Sequence, residues 1–204
     1  MSLKVWKIWQ MYMNQENKKY KIGIIGHTKG IGKAIADLFK EKQFEVIGLS
    51  RSNGYDLSKN QQNIIDKINQ CEYVVINAYA GNNQLRLLQK IYKKYQNQNK
   101  KIVVITSTSG TLIGIDNTHN TPTYKEYCRS KKELIEYIEN VQQELVMKPL
   151  SIFDICPDTV DTEMSAGLWE EWPKLKADEV AEAVRYCFES KFNINKIVLQ
   201  KNAS

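Results

Sequence analysis

Two spacings of apolar residues alternate along this chain. Short, nearly continuous apolar runs occur at Tyr20–Ile25, Phe44–Leu49, Tyr73–Asn77, Ile102–Ile105, Leu150–Cys156 and Lys196–Leu199. Between them, apolar side chains recur three and four positions apart, as in Ile31, Ala34, Ile35, Leu38 and Phe39, or Leu134, Ile135, Ile138, Val141 and Leu145. The first pattern predicts buried strands and the second amphipathic helices. Helices are expected from Ile31, over Lys59–Gln70, around Leu85–Tyr95, from about Tyr124 to Val146 and over Val180–Phe188. Strands that alternate with helices predict an α/β fold, a doubly wound, Rossmann-like parallel sheet with helices on both faces. Such sheets bind ligands at the carboxyl ends of their strands.

Residues 20–204 show no linker, repeat or shift in composition and are expected to form a single domain. Residues 1–19, with Val5, Trp6, Ile8, Trp9 and Met11, precede the first strand. They read as a leader, disordered, packed on a neighbour or appended upstream. With Lys4 and Lys7 as its only early cations, an interfacial membrane helix is the weaker reading.

The formal charge of +6 is spread through the sequence in runs of two or three, as solvated helix faces require, so no nucleic-acid partner is expected. Cys71, Cys128, Cys156 and Cys187 are far apart and unaccompanied by clustered histidines, which argues against a metal site or a disulfide framework. No apolar run approaches the roughly 18 to 20 residues that span a bilayer, and no signal-peptide core is present. A cytoplasmic setting without membrane attachment is the default expectation.

Candidate chemistry begins at Gly26-His27-Thr28-Lys29-Gly30-Ile31-Gly32, between the first strand and the first helix. Glycines at these positions permit a tight turn and a close backbone approach. They also present unpaired N–H groups and a positive helix end, as a pyrophosphate requires. Downstream come Thr106-Ser107-Thr108-Ser109-Gly110 at a strand end, Tyr127-Cys128-Arg129-Ser130-Lys131, and Pro157-Asp158-Thr159-Val160-Asp161-Thr162. A tyrosine with a lysine four residues later places phenol and ammonium on one helix face, and an ammonium favours a phenolate.

In this order the four segments resemble the short-chain dehydrogenase/reductase family, over about Tyr20 to Leu199. The resemblance implies an NADP-dependent oxidoreductase that moves hydride between nicotinamide and a small carbonyl or alcohol. Tyr127 would be the general acid/base, Lys131 would lower its pKa and hold the nicotinamide ribose, and Ser107 would bond the substrate oxygen. Tyr124, whose residue four positions on is Cys128, lacks the lysine, and Ser109 and Thr106 are the rivals of Ser107. Cofactor contacts are implied for Gly26, Thr28, Lys29, Gly30, Ile31 and Gly32 in the loop. They are implied also for Ser50, Arg51, Asp56, Leu57, Asn77, Ala78, Pro157, Val160 and Thr162. The preference for NADP(H) rests on Arg51, where NAD-binding folds place an acid, and on Lys29. A homodimer or homotetramer is implied by the same resemblance.

The departures are as informative. Only Ser50–Tyr55 separates the second strand from Asp56-Leu57, too few residues for a crossover helix, so the family's third strand should be short or missing. Tyr79 and Asp158 stand where the family has glycine, and Asp158 adds a negative charge near the nicotinamide. The family's proton-relaying Asn has no counterpart, since Asn82 and Asn83 read as helix-start residues. The loop Ile113–Thr123 is an insertion or a flap, and Trp169 and Trp172 lie in a brief lid. Two readings therefore stand beside the enzyme: a cofactor-binding sensor with little turnover, and an interaction surface on the same scaffold.

Overall fold

Parallel strands need both faces covered, and the apolar residues of this chain divide between two layers. The computed structural model describes residues 19–111, 121–167 and 170–202. Strands β1 (Lys21–Ile25), β2 (Glu45–Leu49), β3 (Tyr73–Ile76), β4 (Lys101–Ile105), β5 (Ser151–Pro157) and β6 (Lys196–Leu199) form one parallel sheet in the order β2-β1-β3-β4-β5-β6. The helices among the described residues are α1 (Gly30–Glu41), α2 (Gln61–Ile68), α3 (Asn83–Tyr95), α4 (Pro122–Glu144) and α5 (Ala177–Glu189). Ile22, Ile24, Val103 and Phe153 pack on one side against Ile35 and Phe39 of α1 and Val184 and Phe188 of α5. Ile25, Val74, Val104 and Ile152 pack on the other against Ile64 and Ile68 of α2, Leu88 and Ile91 of α3, and Leu134 and Ile138 of α4.

The chain leaves β1 for β2 at one side and reaches β3 at the other, which opens a cleft at the carboxyl ends of β1 and β3. Among the described residues the third strand expected to be short or missing is missing, and β2 is the edge of the sheet. In its place stands one 3₁₀ turn, Arg51–Asn53, ended by Gly54 with φ of +89°. The Asn53 side-chain amide accepts from the Ser50 N–H (2.8 Å) and donates to the Gly48 carbonyl (2.8 Å). Those are the two bonds that a peptide of a neighbouring strand would make. Leu57 then enters the core and α2 follows.

Helix α4 starts two residues before the expected Tyr124, because Thr121 caps it and Pro122 occupies its first position. The leader lies outside the described residues except for Lys19, as do most of the loop after Thr111 and Trp169. No helix among the described residues is long and apolar enough to cross a membrane.

Candidate active site

Beyond Ile25 the chain turns through Gly26–Lys29 into α1. Gly26 has φ of +90°, and a Cβ on Gly32 would stand 1.9 Å from the Gly26 carbonyl oxygen, so this turn closes only on glycine. Asn77 Nδ2 donates to the same carbonyl (3.0 Å), which ties the loop to the end of β3. Lys29 occupies the cap position of α1 without a side-chain cap, and the first turn holds no acid. Its N–H groups and positive end are therefore open to a cavity of about 750 Å³, a fit for an anion such as a pyrophosphate. Gly26, Thr28, Lys29, Gly30 and Ile31 line this cavity from the loop, and Ser50, Arg51, Asp56 and Leu57 from the β2 side. Asn77, Ala78 and Thr162 close it from the ends of β3 and β5. Gly32 is buried behind it.

The β2 end of the cavity is wet. Arg51 is exposed on the 3₁₀ turn. Asp56 Oδ1 accepts from the Ser58 amide (2.8 Å) and hydroxyl (2.6 Å), which hold its carboxyl below the usual range. Lys29 Nζ reaches across the cleft to Glu163 (2.6 Å), so it forms a strap between the loop and the segment after β5.

A second cavity of about 390 Å³ adjoins the first, sharing Ile31, Asn77, Tyr79, Thr162 and Met164 with it. Here the structure brings Ser107, Tyr127 and Lys131 together, with Pro157, Asp158 and Val160 from the end of β5. Ser107 caps the turn Thr108–Gly110, its Oγ accepting from the Ser109 amide (3.2 Å). A Cβ on Gly110 would stand 2.9 Å from the Lys131 backbone, so glycine lets this turn lie directly on α4. Of the rivals, Tyr124 gives its hydroxyl to Ser109 (3.3 Å) and Thr106 gives its own to buried Asp154. Tyr127 has Ser107 as a hydrogen-bond partner that acts on its acidity.

Burial outweighs every other influence on Tyr127 and pushes its phenol up to about 12, while burial of Lys131 pushes its ammonium down to about 8. The phenol therefore keeps its proton throughout the neutral range.

Four contacts were not legible beforehand. The Tyr79 ring turns inward and meets the Tyr127 ring edge-on (centroids 4.9 Å apart, 72°), with Lys131 Nζ 5.8 Å from its centre. Asp158 spends one carboxylate oxygen on the Thr108 hydroxyl (3.2 Å) and the Thr159 amide (2.8 Å), so its charge is anchored to its own turn. Asp154 lies beneath the site, 1 % exposed, with its carboxyl raised to about 6 by burial. Gln84, the residue after Asn82 and Asn83, accepts from Lys131 Nζ (2.9 Å). Asn82 and Asn83 bond Glu133 and Ala80 instead.

No protein-family model and no curated protein matches the chain. Solved structures do. A small-chain dehydrogenase in complex with NADPH superposes with a TM-score of 0.69 at 17% identity, covering 89% of this chain and 97% of that one. An alcohol dehydrogenase from the archaeon Thermococcus sibiricus, complexed with 5-hydroxy-NADP, gives 0.64 at 20% identity over 92% and 100%. A 4-hydroxyisoleucine dehydrogenase mutant complexed with NADH and succinate gives 0.72 at 18% identity over 88% and 96%. The parallel sheet with its cleft and these superpositions agree: the chain has the fold of the short-chain dehydrogenases and reductases.

Proposed function

We propose that this protein is an oxidoreductase that uses NADP(H) to reduce a small carbonyl compound. The observation that carries the reading is the meeting of Ser107, Tyr127 and Lys131 in a pocket continuous with the glycine-loop cleft. In this reading Arg51 and the loop would hold the adenosine half of the cofactor, the open start of α1 its pyrophosphate, and Tyr79 and Val160 its nicotinamide half. Arg51, exposed and planar, suits a 2′-phosphate, which a carboxylate at that place would repel.

The bound nicotinamide supplies the hydride. The protein's part is the proton. Ser107 and Tyr127 hydroxyls both hydrogen-bond the carbonyl oxygen, and Tyr127 gives up its proton as negative charge grows there. A phenol pushed up to about 12 carries its proton at neutral pH and can donate it. Lys131, protonated below about 8, stabilises the phenolate left behind. Asp158 is anchored by Thr108 and Thr159 and need not stand between cofactor and substrate.

The test is consumption of NADPH with a panel of small aldehydes and ketones, in parallel with Tyr127→Phe. The expected result is turnover that falls on the order of a thousandfold in the variant while NADPH fluorescence titrations are unchanged. Turnover unaffected by the substitution would overturn the mechanism. Failure of the parent to bind either NADPH or NADH would overturn the reading altogether.

A further inference from the structure

Gln84 is the second residue of α3, and it is 2 % exposed. Its side-chain nitrogen donates to the carbonyls of Ile76 and Ile105, the last residues of β3 and β4, each at 3.0 Å. Carbonyls only accept, so these two bonds fix which end of the amide is nitrogen and direct Oε1 at Lys131 Nζ, 2.9 Å away. Lys131 Nζ donates a second bond to the Ile105 carbonyl (3.1 Å). Two of the three ammonium hydrogens are thereby committed, and one is left for the pocket.

We propose that Gln84 is a positioning residue of the active site: a neutral acceptor, locked by two strand ends, that holds the Lys131 ammonium under Tyr127 without cancelling its charge. The proposal rests on the reading of Lys131 and Tyr127 given above. Its physical content lies in the kind of acceptor. A carboxylate at this distance would pair with the ammonium and remove most of the field that Tyr127 feels. A hydrocarbon would leave a buried ammonium short of a partner and expel its proton. An amide of glutamine's length satisfies the two carbonyls and the lysine at once. The other titratable groups facing Lys131 are Tyr127 on its own helix, Tyr79 after β3, and Asp154 and Cys156 on β5. Asp154 bonds Thr106 and lies 3.6 Å from Lys196, and Gln84 is the side-chain acceptor in hydrogen-bond contact with the ammonium.

The experiment is a pH titration of the Lys131 side chain by NMR in the full chain without cofactor, lysine ¹³Cε-labelled and its signal identified by loss in Lys131→Met. Gln84→Met is expected to lower the lysine's midpoint by about one pH unit, and the isosteric Gln84→Glu to raise it by a similar amount. In carbonyl reduction the alkaline limb of the kcat profile should move in the same two directions. The kcat of Gln84→Met should fall about tenfold while KM for the carbonyl stays unchanged. A merely structural role would alter thermal unfolding and leave the lysine midpoint where it was. Midpoints in both variants within experimental error of the parent overturn the proposal. Should Gln84→Met fail to fold, Gln84→Glu alone decides it. A Tyr127→Phe variant that retains turnover, by contrast, strikes the proposed function and leaves the lysine titration standing as a separate result.

Discussion

The two ends of the cleft are built on opposite principles. At the β2 end, Arg51, Asp56, Lys29 and Glu163 meet solvent, and their contacts are a one-turn helix, a serine and a surface ion pair. At the β4 end, Thr106, Ser107, Lys131, Gln84 and Asp154 are nearly or wholly buried; Thr106 bonds Asp154, Lys131 bonds Gln84 and the end of β4, and Ser107 caps its own turn. The same fold thus holds one ligand-facing region loosely and the other under strict geometric control. Exposed charges contribute little to stability and are free to serve recognition, whereas buried ones are costly unless each has a partner. Chemistry that needs a group placed to a fraction of an ångström belongs at the second end.

The comparison breaks most visibly at Lys131. Its ammonium titrates near 8 in the fold against 10.5 for an ordinary lysine, so between those values the unfolded chain carries a proton that the fold does not. The contribution of this one group to stability therefore rises with pH across that window, by on the order of 3 kcal/mol in all, while buried thiols such as Cys71 and Cys187, pushed up to about 11 and about 12, work in the opposite direction. Chemical denaturation of the parent and of Lys131→Met at a series of pH values should show the parent gaining on the variant by that amount across the window, and the variant should also lose turnover. A smaller effect is expected for Thr106→Val, which keeps the shape but deprives Asp154 of its hydroxyl donor. It should cost about 2 kcal/mol by denaturant midpoint, with Asp154 titrating still higher.

At the wet end the effects should move from stability to binding. Arg51→Ala is expected to leave the melting temperature unchanged and to weaken NADPH about tenfold, with NADH unaffected. Equal loss for both cofactors would place Arg51 outside the 2′-phosphate site. Glu163→Gln, which unties Lys29, should change stability by less than about 0.5 kcal/mol, and its effect on NADPH affinity should vanish at high salt.

The sequence made the strands and helices legible because period and burial coincide in a sheet covered on both faces. It also revealed the glycine loop, whose turn closes on no other residue, and the missing third strand, which followed from counting the residues after Leu49. Gln84 and Tyr79 were not legible. Asn82, Asn83 and Gln84 are three amides in a row, and only the start of α3 at Asn83 decides which of them faces the strand ends. Spacing put Tyr127 and Lys131 on one helix face, and they line one cavity, but their ionisation also depends on burial, which spacing does not report.

An open strand edge is an invitation to a second copy of the chain, because its unpaired amides and carbonyls accept any extended segment. Here the sheet ends at β2, and the Asn53 amide already holds the Ser50 N–H and the Gly48 carbonyl. One side chain thus closes the upper end of that edge to strand addition. Removing it, as in Asn53→Ala, would show itself in the colloidal behaviour of concentrated solutions, as self-association and precipitation, before it showed in the fold.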